Sequence, residues 1–227
     1  MISKPLSIIF PTRNRREKLR EALTSIQREE AGPDGILVVV ICDADPETAA
    51  SLLTDKRVDR VIYTREHRGS VFCRNLATAS TDGPLIYATD DIVFKPGAIA
   101  AAMAAMAAKF PDGDGVVGFY RGETKHSPTA MALVGQEFLR RYPGKKLFYP
   151  GYFHFSCQEI DFAASKINKL FVCREAEAGH TDPRQGPSGL DSTHFDARTR
   201  RVQDLELSHE RQAKNLIWGL TDFEVPR

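Results

Sequence analysis

Apolar and polar positions alternate along the first half of the chain in a strand–helix rhythm. Residues 6–10 and 36–42 are continuous apolar runs, and such runs are typical of strands buried on both faces of a sheet. Between them, apolar residues recur at helical spacing, at Leu19, Ala22, Leu23 and Ile26. Pro11 is predicted to end the first strand, and Asn14 with Glu17 three residues later to cap the helix.

The same rhythm continues as far as residue 108. Helices are predicted over 46–53 and 70–79, and short strands over 61–63 and 85–88. Pro96 then opens an alanine-rich helix. Repeated strand–helix units with apolar strands predict an α/β fold, with a mostly parallel central sheet and helices on both faces.

After Pro111 the pattern is less regular. Strands are expected over 116–120, 147–155 and 170–173, and helices over 131–142, 158–166 and 204–220. Residues 181–189 contain two glycines and two prolines, which predicts a flexible loop. This loop is a candidate lid over a bound ligand. This half is expected to form a small extension of the same sheet.

In parallel sheets, ligands bind beyond the carboxyl ends of the strands. The polar residues that directly follow the predicted strands are therefore the candidates for chemistry. They form three groups: Thr12-Arg13-Asn14, Asp43-Ala44-Asp45 and Thr89-Asp90-Asp91.

Composition narrows the class of protein. The chain has 227 residues, 42% of them hydrophobic and 27% charged, with a net charge of +1, which is typical of a soluble globular protein and not of a dedicated nucleic-acid binder. No apolar run reaches the roughly 20 residues of a membrane span. Its four cysteines form no CxxC pair, which favours reduced thiols and a cytoplasmic location.

The acidic groups have two interpretations each. Asp90 and Asp91 suit a hard divalent cation on a phosphate, or a solvated turn at a strand end. Asp43 suits a hydrogen bond from a nucleobase or ribose, or the start of a turn and helix. Glu159 and Asp161 suit a general base or acidic residues of a first helical turn, and their spacing points them in different directions.

The basic and histidine candidates are equally open. Arg13, Arg15 and Arg16 lie where the first helix begins, so they suit either an anionic ligand or a solvated helix face. His180 follows a strand and an acidic stretch, and its importance depends on whether the fold brings it to Asp91.

The order of these segments resembles a family-2-type glycosyltransferase of the GT-A fold, in a divergent, stand-alone form. The matching segments are SIIFPTRNRREKLREALTSI, VVVICDAD, HRGSVFCRNLATAS, YATDDIVFKPGAI, QEIDF and EAEAGH. In that family they correspond to the opening strand and helix, the nucleotide-binding Asp, the Ala-Arg-Asn segment, the Asp-x-Asp motif, the base region and the closing His. The resemblance covers residues 6–180.

The resemblance implies roles for individual residues. Those implied to bind the nucleotide-sugar are Pro11, Thr12, Arg13, Asn14, Asp43, Arg74 and Asp90. Asp91 and His180 are implied to bind the metal, Mn²⁺ or Mg²⁺. Glu159 takes the position of the catalytic base, with Asp161 as a second catalytic candidate.

The sequence also departs from the family pattern. Thr89 stands where the first Asp of Asp-x-Asp is expected, and Glu159 stands where the family usually has Asp. Cys42-Asp43-Ala44-Asp45 keeps only the second Asp of the usual pair. These changes weaken the implied metal site and lengthen the implied base by one methylene.

The implied function is inverting transfer of a sugar from a UDP-sugar to a hydroxyl, with help from a divalent metal. Alternatives are a nucleotidyltransferase, a sugar-nucleotide hydrolase, or a degenerate domain that binds a nucleotide or glycan without catalysis. The catalytic domain is expected over 1–180, with a nucleotide-binding half (1–110) and an acceptor half (111–180), and residues 181–227 as a loop and a helix packed on it. The acceptor is left open among a glycan, a lipid-linked sugar, a protein and a modified DNA base, and so is the oligomeric state.

Overall fold

A computed structural model describes residues 4–122, 127–154, 157–180 and 192–225 of the chain. The described strands are β1 (Leu6–Thr12), β2 (Ile36–Asp43), β3 (Arg60–Thr64), β4 (Leu85–Tyr87), β5 (Ile92–Phe94), β6 (Val116–Tyr120), β7 (Ala132–Val134) and β8 (Leu170–His180). The described helices are α1 (Arg16–Thr24), α2 (Pro46–Leu52), α3 (Gly69–Ala79), α4 (Ala98–Lys109), α5 (Gln136–Leu139), α6 (Cys157–Lys166) and α7 (Ser192–Ala213). Short 3-10 helices add Arg28–Asp34 and Pro143–Lys145.

The eight strands form one mixed sheet in the order β3-β2-β1-β4-β7-β6-β8-β5. The first four strands in that order are parallel to one another, β7 runs antiparallel between β4 and β6, and β5 is antiparallel to β8. The α/β class and the mostly parallel sheet predicted from the sequence are confirmed. Among the described residues, no helix has the length and apolar character needed to cross a bilayer.

The sheet has a core on each face because successive residues of a strand point to opposite sides. Ile8 and Phe10 of β1 pack on one face with residues of α1 and α4. Ile9 packs on the other face, with residues of α3 and α6 and with Trp218. Burial on both faces explains why β1 and β2 are mostly apolar.

The helix predicted over 131–142 is wrong in its first part. The structure has strand β7 there, then Gly135, then the single-turn helix α5. Ala132, Leu133 and Val134 are fully buried between β4 and β6, so sheet pairing outweighs the helical spacing of the apolar residues. A side chain at Gly135 would lie 2.0 Å from the carbonyl oxygen of Gly113, so only glycine fits at this junction.

The aromatic strand predicted over 147–155 is also wrong where the chain is described. Residues 147–154 form turns and bends, and Phe155 lies outside the described residues. Phe148 is anchored instead through its backbone, which exchanges two hydrogen bonds of 2.8 and 2.9 Å with the side chain of Asn75. The aromatic residues of this segment fill the core beside Trp218, which explains their density in the sequence.

Two elements of the second half extend beyond their predicted bounds. β8 continues past residue 173 to His180, because it pairs first with β6 and then, after an irregularity beside Phe119, with β5. α7 begins at Ser192 and ends at Ala213, whereas the sequence predicts 204–220. The predicted loop over 181–189 lies outside the described residues.

The predicted cap of α1 is wrong as well. Asn14 has a φ of 55°, and α1 begins after Arg15 without a capping side chain. The backbone N–H of Asn14 donates instead to Asp45 Oδ2 at 2.7 Å. Asp45 Oδ1 accepts the N–H of Thr48 at 3.1 Å and so caps α2. One buried carboxylate therefore joins the start of α2 to the loop before α1.

Replacing Asp45 with Ala is expected to lower the free energy of unfolding by about 1–2 kcal/mol, since both contacts are lost. Asp45→Asn keeps a capping oxygen and is expected to cost less than half as much. Urea unfolding followed by circular dichroism measures both variants. An Ala variant within about 0.3 kcal/mol of wild type would contradict the linking role.

Candidate active site

The carboxyl ends of β1, β2 and β4 lie side by side because these strands are parallel neighbours. Thr12 ends β1, Asp43 ends β2, and Thr89 to Asp91 follow β4. The three polar groups predicted from the sequence are therefore brought to one edge of the sheet. This is the edge at which ligands bind in open α/β sheets.

Two adjacent carboxylates lie buried at this edge, and we call Asp90 and Asp91 the carboxylate pair. Nη1 of Arg15 lies 3.1 Å from Asp90 Oδ1 and 3.5 Å from Asp91 Oδ2. The hydroxyl of Thr12 donates to Asp90 Oδ2 at 2.9 Å, and that of Thr89 to Asp91 Oδ1 at 2.6 Å. Thr89 stands where the family has the first Asp of its Asp-x-Asp motif. In this structure its hydroxyl orients the carboxylate of Asp91.

Asp90 is the more perturbed member of the pair. Burial, with the neighbouring charge of Asp91, raises the pKa of Asp90 to about 6, against the opposing effect of Arg15 and Thr12. Such a rise means that burial and the neighbouring charge disfavour the ionised form of Asp90. A cation bound beside the pair would favour that form.

Arg74 lies under the carboxylate pair, fully enclosed by protein. Its guanidinium faces the rings of Tyr87 and Phe148, at 5.8 and 5.4 Å from their centroids, and it approaches the carbonyl of Ala88 at 3.5 Å. Burial lowers the pKa of Arg74, and Cys157, Tyr87 and the carboxylate pair partly offset this effect. The position is consistent with the donor-side role that the resemblance implies.

Arg121 is a third cation that sequence reasoning missed. It follows directly on β6, at an end of the same sheet, and that placement was the available signal. Burial lowers the pKa of Arg121, while the charge of Asp91 raises it. The carboxylate pair therefore interacts with three arginines from three different segments.

Asp43 is engaged by the loop that follows β3. Its carboxylate accepts the N–H groups of Arg68 and Gly69, each at 2.8 Å, and the hydroxyl of Thr64 at 2.9 Å, while His67 Nδ1 lies at 2.7 Å. Four partners use the acceptor capacity of a carboxylate. Asp43 therefore organises the start of α3 in this structure, and its role toward a nucleobase stays a prediction.

The remaining residues of the predicted donor loop differ in accessibility. Pro11 is buried within β1, paired with Ile41 across the sheet. Asn14 is exposed, and Arg13 is half-buried with its charge near Asp45. Of this loop, Thr12 has the direct contact with the carboxylate pair.

Glu159 lies in a buried ionic cluster with the C-terminal segment. Its Oε1 accepts Nη2 of Arg211 at 2.8 Å and the N–H of Trp218 at 2.9 Å. Arg211 also donates to Asp222 at 2.7 Å and stacks at 3.4 Å over the ring of Tyr149. In this structure Glu159 holds the end of α7 and the segment after it.

Asp161 has separate partners on the connection before β7. Its Oδ1 accepts the N–H of Thr129 at 2.8 Å, and its Oδ2 accepts the hydroxyl of Ser127. Burial raises the pKa of Asp161 despite these hydrogen bonds. As their spacing predicts, Glu159 and Asp161 point in different directions, and the catalytic role of either residue stays a prediction.

His180 is brought near the carboxylate pair by strand pairing. In the β5–β8 ladder its backbone lies opposite Ile92, the residue after Asp91. The side chain of His180 lies outside the described part of the chain. Its role as a metal ligand therefore stays a prediction.

The oxygen atoms of the carboxylate pair fit a divalent metal bound to a diphosphate. Hard cations on phosphates need only one or two carboxylates from the protein and complete their shell with water and phosphate oxygens. The described side chains contain no group of three His, Cys, Asp or Glu arranged as a metal centre. Asp91, with Asp90 beside it, could therefore supply the one or two protein carboxylates that such a cation needs.

His154 is a further site residue that sequence reasoning did not single out. Its imidazole reaches solvent, and its Nδ1 lies 3.3 Å from the hydroxyl of Ser70. The backbone N–H groups of Phe153 and His154 donate to the buried carboxylate of Asp204 on α7, at 2.9 and 2.7 Å. Three guanidinium groups lie close enough to influence its charge, those of Arg74, Arg15 and Arg201.

His154 is expected to stay neutral at pH values where an ordinary histidine is protonated. Although part of His154 is exposed, the protein around its imidazole and the three arginines lower its pKa from 6.5 to about 4, against the opposing charge of Asp204, so the imidazole gains its proton only as the pH falls toward 4. Nitrogen NMR of labelled protein between pH 4 and 8, with His154→Gln for assignment, measures the midpoint. A midpoint near 6.5 would contradict this electropositive surrounding.

Comparison with known proteins gives a consistent result. The family model for glycosyl transferase family 2 matches residues 7–161. No curated protein sequence matches significantly.

Solved structures resemble the chain in fold. The mannosyltransferase PcManGT from Pyrobaculum calidifontis, in complex with GDP-Man and Mn²⁺, has a TM-score of 0.70 and 17% identity, covering 100% of this chain and 67% of that one. S. aureus TarS 1-349 in complex with UDP has a TM-score of 0.61 and 16% identity, covering 92% of this chain and 73% of that one. In a further TarS structure, this chain spans only 37% of the other chain.

The family match covers well over half of the chain, and the fold as a whole is similar to that of these glycosyltransferases. The chain belongs to glycosyl transferase family 2 and has the GT-A fold.

Proposed function

We propose that this glycosyltransferase moves a sugar from a nucleotide-sugar, in the first instance a UDP-sugar, to an acceptor hydroxyl with inversion. The observation that carries the proposal is the buried carboxylate pair with Arg15, Arg74 and Arg121 at the carboxyl edge of the sheet. Carboxylates suit a divalent cation and guanidinium groups suit phosphate oxygens. Together they match the two charges of a metal–diphosphate group.

Asp91 and Asp90 are the residues that would hold Mn²⁺ or Mg²⁺, with His180 as a further candidate ligand. The cation, when bound, offsets negative charge that develops on the departing nucleoside diphosphate. Arg74 and Arg121 add positive charge near the same carboxylates, and because Arg74 is already buried it needs no reorganisation.

The acceptor hydroxyl needs a base, and α6 offers two carboxylates. The resemblance implies Glu159, but this residue must loosen its contacts with Arg211 and Trp218 before it reaches a substrate. Asp161 has the raised pKa that favours a base, and Ser127 on its carboxylate could relay a proton.

Comparing kcat of Glu159→Gln with that of Asp161→Asn separates the two candidates. The variant of the true base is expected to lose at least about 100-fold in kcat. Fluorescence of Trp218 reports whether the C-terminal segment is still docked in the Glu159 variant. Full activity in a docked Glu159→Gln protein would exclude Glu159 as the base.

The acceptor is proposed to approach from the side of α7. The loop carrying His154 is fixed there by Asp204, and Arg201 lies near it. A glycan, a lipid-linked sugar, a protein and a modified DNA base all remain acceptor candidates, and no described group selects among them.

Nucleotide release tests the proposed activity. The protein is incubated with UDP-glucose, UDP-N-acetylglucosamine or GDP-mannose, with Mn²⁺ or Mg²⁺, and free UDP or GDP is measured. Slow release that accelerates when a hydroxyl acceptor is added supports the transferase. Rapid multiple-turnover release without an acceptor would indicate a hydrolase, and binding without release would indicate a non-catalytic domain.

A further inference from the structure

A single guanidinium nitrogen serves both members of the carboxylate pair. Nη1 of Arg15 lies 3.1 Å from Asp90 and 3.5 Å from Asp91, and the side chains of all three residues are at most 9% exposed. Arg15 lies at the end of the loop that connects β1 to α1, directly before the first turn of that helix. A cation of the protein itself therefore occupies the space that faces both carboxylates.

The position of Arg15 has an electrostatic consequence. A divalent cation bound to Asp91 would share that carboxylate with the guanidinium, and two positive groups at one carboxylate repel each other. The diphosphate of a donor changes this balance, because guanidinium binds phosphate oxygens in a charge-assisted, two-pronged geometry. A phosphate near Arg15 would thus draw it from the carboxylates and open them to the cation.

We propose that Arg15 is a counter-ion within the protein that lowers the affinity of the carboxylate pair for divalent cations until a nucleoside diphosphate binds. Cation and nucleotide then bind cooperatively, and this one side chain adds to the coupling that direct contact between the cation and the phosphates supplies. By linkage, the cation strengthens nucleotide binding by the same factor. The inference rests on the proposed function, since it assumes that the site receives a diphosphate.

Neighbouring residues provide matched variants. Arg15→Gln removes the buried charge, whereas Arg16→Gln removes the next arginine, whose side chain is 60% exposed and pairs loosely with Glu17 at 3.9 Å. Arg15→Lys keeps a positive charge at the same position. A purely structural role for Arg15 would lower stability in the Gln variant without changing the coupling between the two ligands.

The test is titration of each protein with MnCl₂, followed by electron paramagnetic resonance of free Mn²⁺, with and without saturating UDP. For wild type and Arg16→Gln, UDP is expected to strengthen Mn²⁺ binding at least tenfold. Arg15→Gln is expected to bind Mn²⁺ about tenfold more tightly than wild type without UDP, and the strengthening of its Mn²⁺ binding by UDP is expected to be at least threefold smaller than in wild type. If Arg15→Gln does not fold, Arg15→Lys is expected to bind Mn²⁺ without UDP as weakly as wild type.

Each contrary result has a distinct meaning. A folded Arg15→Gln protein with wild-type Mn²⁺ affinity or undiminished coupling overturns the inference and leaves the proposed function standing. Tighter Mn²⁺ binding by Arg15→Lys overturns it in the same way. If neither wild type nor Arg16→Gln binds UDP or Mn²⁺, the proposed function fails and the inference fails with it.

Discussion

Replacing Asp91 with Asn is expected to lower kcat/KM for nucleotide-sugar turnover by about 100-fold to 1000-fold, the usual cost of removing one charge-stabilising group from an active site. The change keeps the shape of the side chain and its contact with the hydroxyl of Thr89. It removes one of the two negative charges that would hold the cation. Steady-state release of UDP at several Mn²⁺ concentrations measures the loss, which excess Mn²⁺ should reverse only in part.

Asp114→Asn is the matched control for this change. Asp114 is also a partly buried carboxylate, paired with Arg141 and Lys169, but it precedes β6 and so lies at the opposite end of that strand from Arg121. Its replacement is expected to lower stability and to leave kcat/KM within about threefold of wild type. Equal loss of activity in both variants would show that the Asp91 effect is a general loss of structure.

Replacing Arg211 with Met is expected to destabilise the docking of the C-terminal segment by about 3–5 kcal/mol. The substitution removes the shared partner of Glu159 and Asp222 and leaves two carboxylates without a cation in a buried cluster. Trp218 is the only tryptophan of the chain, and it is 1% exposed in that cluster. Its fluorescence therefore reports this docking specifically, and in the variant it should shift to the red at a lower urea concentration.

Arg140→Met supplies the comparison for Arg211. Arg140 forms an ion pair with Glu137 at 2.6 Å, but its side chain is 66% exposed, so its removal is expected to cost less than about 1 kcal/mol. Circular dichroism of the same samples follows the sheet and the other helices. If the Arg211 variant had the unfolding midpoints of wild type by both Trp218 fluorescence and circular dichroism, the ionic cluster would contribute no net free energy to the docking of the C-terminal segment.

The elements of the first half of the chain could be predicted because their signals are local. Every residue of β1 and all but Leu37 of β2 are buried, so apolar runs identify these strands, and the polar residues at their ends fall at the expected edge. The first part of 131–142 was predicted wrongly because its apolar spacing suits a helix, while the decisive contacts come from strands distant in sequence. Element type was thus predictable where it depends on the segment itself.

The charged partners of the site residues could not be predicted from the sequence for a similar reason. Arg15 meets Asp90 across 75 residues, and Arg211 meets Glu159 across 52. Nothing in the local sequence of either residue indicates its partner. In the sequence, His154 is one polar residue in an aromatic segment. Only its position near arginines from three different segments identifies it as a candidate site residue.

The face by which α7 docks is polar, which is unusual for a helix that closes a domain. Its buried residues Asp204, Ser208 and Arg211 recur at helical spacing, and they act through directional hydrogen bonds and ion pairs. Because these contacts are directional, they fix the position of α7 along its axis. The docked face nevertheless buries less apolar surface than the face of a core helix does. The position of α7 therefore depends on a few charged and polar side chains, so a single substitution among them can change how the helix sits without altering the apolar core of the sheet.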